Sequence, residues 1–423
     1  MTAGAPGIVI ERLPGLPVGE ALLEVAAGRD DVELVGGAVR DLLLGREPRE
    51  LDVVVGGEGS SLANDGALFA RELAACLDTE TEVDEHERFG TALVEWDGGR
   101  IDIATRRAES YPAPGTLPDV RAGTEQEDLE RRDFTVNAIA VRMGGERRGE
   151  LRAAPNALND LEQGRLRVLH ERSFCDDPTR LLRLARYGGR LGFEVEDHTT
   201  ALAREALAAR VLDTVSGARI GAELRLALGE HDAIAALGAL NELGVLGALH
   251  PRLRFEQPVA RGALALLPED GRPDLTLLAS LLLPLGLRAG TDQRTEIATL
   301  LDRWDFSAGD RDRVAAAATA VPRLIEELPG AERPSALRAA ALGVPVEGVA
   351  LAGALGCEEP ARRWLDQTRH VHLQITGEDL LTAGIPEGPE IGLRLEATLK
   401  LRLDGELADG RDAELIASLQ ARV

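Results

Sequence analysis

The chain has 423 residues, 44% hydrophobic but only 3% aromatic, so two to four compact units with cores of Leu, Val, Ile and Ala are expected. Its 72 acidic residues against 48 basic ones give a net charge of -24, which argues against non-specific binding to nucleic acid or anionic membranes but leaves room for a local basic groove. The single lysine, Lys400, excludes a Walker-type GK[ST] loop and a Schiff-base lysine, so phosphate handling falls to Arg, backbone N–H groups or metal.

Cys76, Cys175 and Cys357 lie far apart without C-x-x-C spacing, which fits a reducing compartment rather than a disulfide framework or zinc site. The stretch MTAGAPGIVIERLPG lacks a basic n-region followed by an apolar h-region, and the longest apolar run, 275–287, is broken by Pro284. A cytoplasmic protein without a membrane partner is expected.

In chain order, VELVG (32–36) reads as a buried strand and AVRDLLL (38–44) as a short helix closed by Gly45. LDVVV (51–55) is a second buried strand, rich in β-branched residues. Residues 66–77 form an amphipathic helix. TALVEW (91–96) and RIDIAT (100–105) flank Asp97-Gly98-Gly99, which is hairpin chemistry, and TVNAIAVRM (135–143) is a further strand. From about 155 strand signals nearly vanish. Helices rich in Ala, Leu, Arg and Glu run to about 370, then HVHLQIT (370–376) reads as a strand before a turn-rich, helical end.

Side chains at i and i+2 of a strand share a face, so Glu50 and Asp52 project together, and the 91–105 hairpin can lay Asp102 beside them. Three acidic groups at one sheet edge repel one another unless a divalent cation sits between them, and such oxygen ligands suit magnesium (Mg2+). Two ions of this kind can stabilise both the attacking and the leaving oxygen of an in-line displacement. The Gly36-Gly37 turn lets backbone approach a triphosphate at a helix N-terminus, and Arg40, one turn in, adds positive charge.

These residues match a family. GGAVRDLLLGREPRELD resembles the head motif of the class II tRNA nucleotidyltransferase and bacterial poly(A) polymerase family, template-independent polymerases of the polymerase β superfamily. Further motifs follow in family order: RRDFTVNAIA (131–140), DLEQGRLR (160–167), DDPTRLLRLARY (176–187), SGARIGAEL (216–224) and the ending ITGEDLLTAGIPEGPEIG. The resemblance implies an α+β chain, with a mixed-sheet polymerase β-like head followed by all-α neck, body and tail. We place an N-terminal segment at 1–30, the head at 31–150, the neck at 151–228, the body at 229–370 and the tail at 371–423.

By the same resemblance Asp52 is a metal-binding catalytic carboxylate, and Glu50 stands where the family usually has an Asp. Arg132, Asp133 and Asn137 hold the incoming nucleotide, with Asp133 sensing a ribose 2′-hydroxyl. Asp177 and Arg180 read the nucleobase edge: a carboxylate accepts from the exocyclic amine of cytosine or adenine while a guanidinium donates to the adjacent ring nitrogen. Asp176 and Ala218 are further departures, each standing where the family usually has Glu. The segments VVVGGEG and RIDIATRRAESYPAPGTLPDV are most similar to the branch whose head is fused to phosphoesterase and CBS domains, which are not seen in this sequence.

Arg180, Arg183, Arg186 and Arg190 are spaced along one helix face, where Arg183 extends the nucleotide site and Arg186 and Arg190 form a basic stripe for RNA. Arg106 and Arg107 follow Asp102 toward the primer 3′ end. His231-Asp232 is expected at a helix start, and Trp96, Trp304 and Trp364 as packing residues. The expected activity is addition of C and/or A to the tRNA 3′ end from CTP and ATP, with release of pyrophosphate. The alternatives are a poly(A) polymerase, and a degenerate head that binds RNA or nucleotide without catalysis, for which Glu50 is the basis.

Overall fold

The computed structural model describes residues 7–56, 61–62, 64–77, 79–86, 90–286 and 292–421. The first six residues, 57–59 of the VVVGGEG segment and Leu287 of the apolar run lie outside the described residues. The chain divides into two compact units, Met1–Ser216 and Gly217–Val423, a boundary inside the 151–228 segment.

The first unit is built on a seven-stranded mixed sheet. Its strands are β1 (Val32–Val35), β2 (Leu51–Val55), β3 (Thr81–His86), β4 (Thr91–Trp96), β5 (Gly99–Thr105), β8 (Ile139–Arg142) and β9 (Leu151–Ala153), in the order β3-β4-β5-β2-β1-β8-β9. A separate ribbon pairs β6 (Arg107–Ser110) with β7 (Asp119–Ala122). The apolar, β-branched runs of β1 and β2 become central strands because both faces are covered. Trp96 pairs with Gly99, so the hairpin turns on Asp97-Gly98, with Gly98 at φ +111°. Helix Gly37–Leu43 follows β1 and Asp65–Ala75 packs on the sheet, close to the expected spans.

Two register facts position the site. β2 and β5 run parallel with Asp52 opposite Asp102, and β1 and β2 run antiparallel with Val35 opposite Asp52. Asp52 therefore sits beside the point where β1 gives way to Gly36.

TVNAIAVRM is not one strand. Thr135–Asn137 form a 3-10 turn, and β8 begins only at Ile139. The reason lies in the neighbouring motif: buried Asp160 accepts from Thr135 Oγ1 at 2.7 Å and from Arg167 Nε at 2.9 Å, tying the turn to the 160–167 segment. Helix Thr179–Leu191 presents Tyr187, whose ring meets Phe134 edge-on at 5.9 Å.

The second unit is helical among its described residues. Helix Pro273–Gly286, buried along most of its length, packs on Ala308–Glu327. Asp232 caps helix Ala233–Glu242, accepting from Ala235 N at 2.9 Å, as expected of the His231-Asp232 pair. Trp304 and Trp364 are packing residues in this unit, while Trp96 in the first unit is only partly buried. The expected strand at 370–376 does not form. The backbone N–H groups of Gln374 and Ile375 donate instead to the fully buried Glu414 carboxylate, at 2.6 and 3.2 Å, so a side chain takes the place of a partner strand. No single helix among the described residues is long and apolar enough to cross a membrane.

Candidate active site

A cavity of about 310 Å3 opens in the first unit. Gly36, Gly37, Asp52, Arg132, Asp133, Asn137, Asp177, Arg180 and Arg183 all line it, so residues spread over 148 positions between Gly36 and Arg183 converge on one concave space. Gly36 holds φ +71°, the left-handed region where a side chain is strained. A Cβ there would lie 3.1 Å from Arg132 Nη1 and 3.4 Å from Asp52 Oδ2, so the missing side chain leaves room beside a carboxylate and a guanidinium.

Asp52 is half-buried at the wall of this space. Burial pushes its carboxyl up, Arg132 opposes, and Asp102 and Glu50 add to the rise, leaving it at about 6. Burial likewise raises Asp102, with Arg100 opposing and Glu50 and Glu95 adding. Two adjacent carboxylates that are hard to ionise together are a donor set for a hard divalent cation, which would take its remaining ligands from water and phosphate oxygens. The pair fits such an ion.

Glu50, the ligand expected beside Asp52, lies near enough to raise both carboxyls but makes an ion pair of its own. Because Asp52 is in register with Asp102, position 50 falls beside position 100, and the Glu50 carboxylate pairs with the Arg100 guanidinium. Glu50 lines a second cavity, of about 160 Å3, with Trp96 and Arg100. Among the described residues no three His, Cys, Asp or Glu side chains form a metal-binding group.

Asp133 is gripped from three sides. Arg183 donates to it from Nε at 2.9 Å and Nη2 at 2.6 Å, Asn137 Nδ2 at 2.8 Å, and the Phe134 N–H at 2.8 Å. Burial would push the Asp133 carboxyl up, but Arg183 and Asn137 outweigh it and hold it at about 2. Arg180 donates to Ser173 Oγ and to the Arg131 carbonyl, both at 2.7 Å. Each terminal guanidinium nitrogen carries two hydrogens, so these bonds fix the fork and leave one N–H on each nitrogen. Asp177 Oδ1 accepts from Thr179 N at 3.1 Å and Oγ1 at 2.7 Å, which orients the carboxylate at the helix start.

Other expected residues sit elsewhere. Arg40 does not line the cavity: at 1% exposure it donates to Asp41 at 2.8 Å and to Asn137 Oδ1, beneath the site. The arginines of helix Thr179–Leu191 do not form an exposed stripe. Arg186 is buried, with its guanidinium 4.9 Å from the Tyr187 ring centroid, and Arg190 donates to Asp41 at 3.2 Å. Arg180 and Arg183 of this face line the cavity, while Arg186 and Arg190 pack on Tyr187 and Asp41. Arg106 is buried on Glu33, whereas Arg107 reaches the cavity.

Sequence reasoning missed Glu109, Tyr111, Arg131 and Asp128. The first three line the cavity. Asp128 is buried behind it, accepting from Arg131 Nε at 3.0 Å and Nη2 at 2.8 Å, and from Arg132 Nη2 at 2.8 Å. The i+3 and i+4 spacing of these two arginines was the available signal.

Known proteins resemble this arrangement. The Poly A polymerase head domain family matches residues 32–167. An A-adding tRNA nucleotidyltransferase of Geobacter sulfurreducens is 34% identical over 412 residues, 92% of this chain and 45% of that protein. A CC-adding tRNA nucleotidyltransferase of Deinococcus radiodurans is 33% identical over 399 residues, covering 93% of this chain and 91% of that protein. The Thermotoga maritima CCA-adding enzyme complexed with tRNA superposes with a TM-score of 0.76 at 27% identity, over 98% of both chains. The chain spans about half the length of the A-adding relatives it matches in Geobacter and Halalkalibacterium halodurans, 45% and 50%.

Proposed function

This chain belongs to the tRNA nucleotidyltransferase family, and from that we propose that it transfers CMP and/or AMP from CTP or ATP to the 3′-hydroxyl of a tRNA, in the cytoplasm. In the transfer, a bond forms between the RNA 3′-oxygen and the α-phosphorus while the bond from the α-phosphorus to the pyrophosphate oxygen breaks. The observation that carries this reading is the convergence of Asp52, Arg132, Asp133, Asp177 and Arg180 around one cavity floored by the Gly36-Gly37 backbone. The names of the A-adding and CC-adding relatives, and of the tRNA-bound structural neighbour, support the choice of substrate.

We assign the residues as follows. Asp52 and Asp102 would hold divalent metal, magnesium in our proposal, which when bound supplies positive charge to the attacking and departing oxygens. The Gly36-Gly37 backbone and Arg132 bind the triphosphate, with Arg40 holding Asn137 in place from beneath. Asp133, ionised and fixed by Arg183, faces the sugar. Asp177 accepts from the exocyclic amine of cytosine or adenine, and Arg180 donates to the adjacent ring nitrogen. Uracil and guanine present a carbonyl where the amine should be, so a carboxylate meets an acceptor with no proton between them, and they are rejected.

Arg180→Ala tests the base-reading assignment. The variant is expected to incorporate UTP or GTP at least tenfold better relative to CTP and ATP, while tRNA affinity changes less than threefold. Nucleotide competition with sequenced products, together with tRNA binding, reads both quantities. Rejection of UTP and GTP as strict as in the parent would contradict the role of Arg180.

A further inference from the structure

Glu109 and Tyr111, on and just after β6, stand on the cavity wall with no part in the chemistry above. Glu109 is nearly buried. One of its oxygens accepts from Arg107 Nε and from Arg131 Nη1, each at 3.1 Å, and the other accepts from the Tyr111 hydroxyl at 3.1 Å. A carboxylate has no proton to give, so its bond with Tyr111 has one polarity: the phenol donates.

A phenol has one proton. With that proton committed to Glu109, the Tyr111 oxygen can only accept. Tyr111 shares the cavity with Asp177 and Arg180 and lies close enough for both to act on it electrostatically. An exocyclic amine carries two N–H donors, and one carboxylate oxygen satisfies only one of them. The second needs another acceptor, which a carbonyl-bearing base would not use.

We propose that Tyr111 is a further specificity-determining residue of the nucleotide site, accepting the second amine hydrogen of cytosine or adenine, and that Glu109 is the positioning residue that fixes the polarity of its hydroxyl. The inference rests on the nucleotide-binding assignment of this cavity. Burial raises the Tyr111 phenol above its usual range, with Glu109 and Asp177 adding and Arg180 opposing, so the proton it donates is present throughout the working pH range. Tyr111→Phe removes the acceptor and keeps the ring. Glu109→Gln places an N–H within reach of the phenol, which frees the tyrosine to donate into the cavity, toward a carbonyl.

The test is equilibrium binding of CTP, UTP, ATP and GTP to the full chain with magnesium and no RNA, so no turnover is needed. In Tyr111→Phe the CTP-over-UTP affinity ratio is expected to fall about three- to tenfold, the worth of one hydrogen bond. In Glu109→Gln the ratio falls further because UTP binding itself tightens. A structural role alone would weaken all four nucleotides together and leave the ratio in place, and that result overturns the proposal. A parent protein that binds all four alike also overturns it, and takes the base-reading assignment of Asp177 and Arg180 with it. An unmoved ratio in Tyr111→Phe, with the parent still selective, removes only Tyr111.

Discussion

Replacing Asp52 by asparagine is expected to abolish nucleotide incorporation and, at the same time, to stabilise the metal-free protein at pH 7.5. The two effects share a cause. Burial, with Asp102 and Glu50 adding and Arg132 opposing, lifts the Asp52 carboxyl from 3.8 to about 6. The folded state therefore holds the ionised form at a disadvantage. For a carboxyl raised in this way the penalty is fully present above about 6, fades as the pH falls through that value, and is absent below about 4, where folded and unfolded chains are both protonated. The span corresponds to about 2–3 kcal/mol. Denaturant melts in EDTA should show the variant more stable by that amount at pH 7.5, with the curves merging near pH 4. Magnesium should stabilise the parent and not the variant, by mass action on the folded state. Retained turnover, or equal stability at both pH values, would contradict the assignment of Asp52.

Asp128→Asn is expected to act in the opposite direction. Burial would push this carboxyl up, but Arg131 and Arg132 overcome it and hold it well below the usual carboxylate range. A carboxylate lowered in this way contributes stability that is present above its unfolded value, near 3.8, and lost as the pH falls through the folded one. Removing one partner of a buried charge group leaves the others uncompensated, at a cost of roughly 3–5 kcal/mol. At pH 7 the variant should lose that much, and the deficit should narrow as the solution becomes more acid than the carboxylate range. Arg132 keeps its charge but loses its anchor, so KM for CTP should rise about 10- to 100-fold in variant that remains folded. An unchanged melting curve with an unchanged KM would show that Asp128 does not hold the pair.

The central strands were legible because they are buried on both faces. VELVG and LDVVV are apolar runs that hydrophobicity alone marks, and the hairpin was marked by Asp97-Gly98. The edge strand β3, TEVDEH, carries acids at three of six positions and alternates between half-buried and exposed, so no apolar run announces it. The strand expected at 370–376 failed for the converse reason: its alternation is real, but a buried Glu414 from 40 positions away satisfies the backbone. Helical spacing correctly put Arg180, Arg183, Arg186 and Arg190 on one face. It could not say that Asp133 and Asp41, distant in sequence, would meet that face.

The site was legible in the same uneven way. Asp52 and Asp102 followed from strand periodicity and a hairpin, and the register places them side by side. Glu50 followed from the same periodicity, which fixes a face but not the neighbour across the ladder, and that neighbour is Arg100. Nothing in the sequence sets Asp128 apart, since EQEDLE carries four acids in six residues. Glu109 and Tyr111 sit on a four-residue strand and the turn after it, too short for any period.

The central claim, template-independent addition at a tRNA 3′ end, is tested most directly by primer extension with magnesium. tRNA ending before CCA, after C and after CC would be offered CTP and ATP, singly and together, and the products sequenced. We expect C or A to be added at a defined position, with addition ending at CC or CCA and with no U or G. No product on any of the three primers from folded protein, or untemplated A-tails on any RNA, would contradict the account.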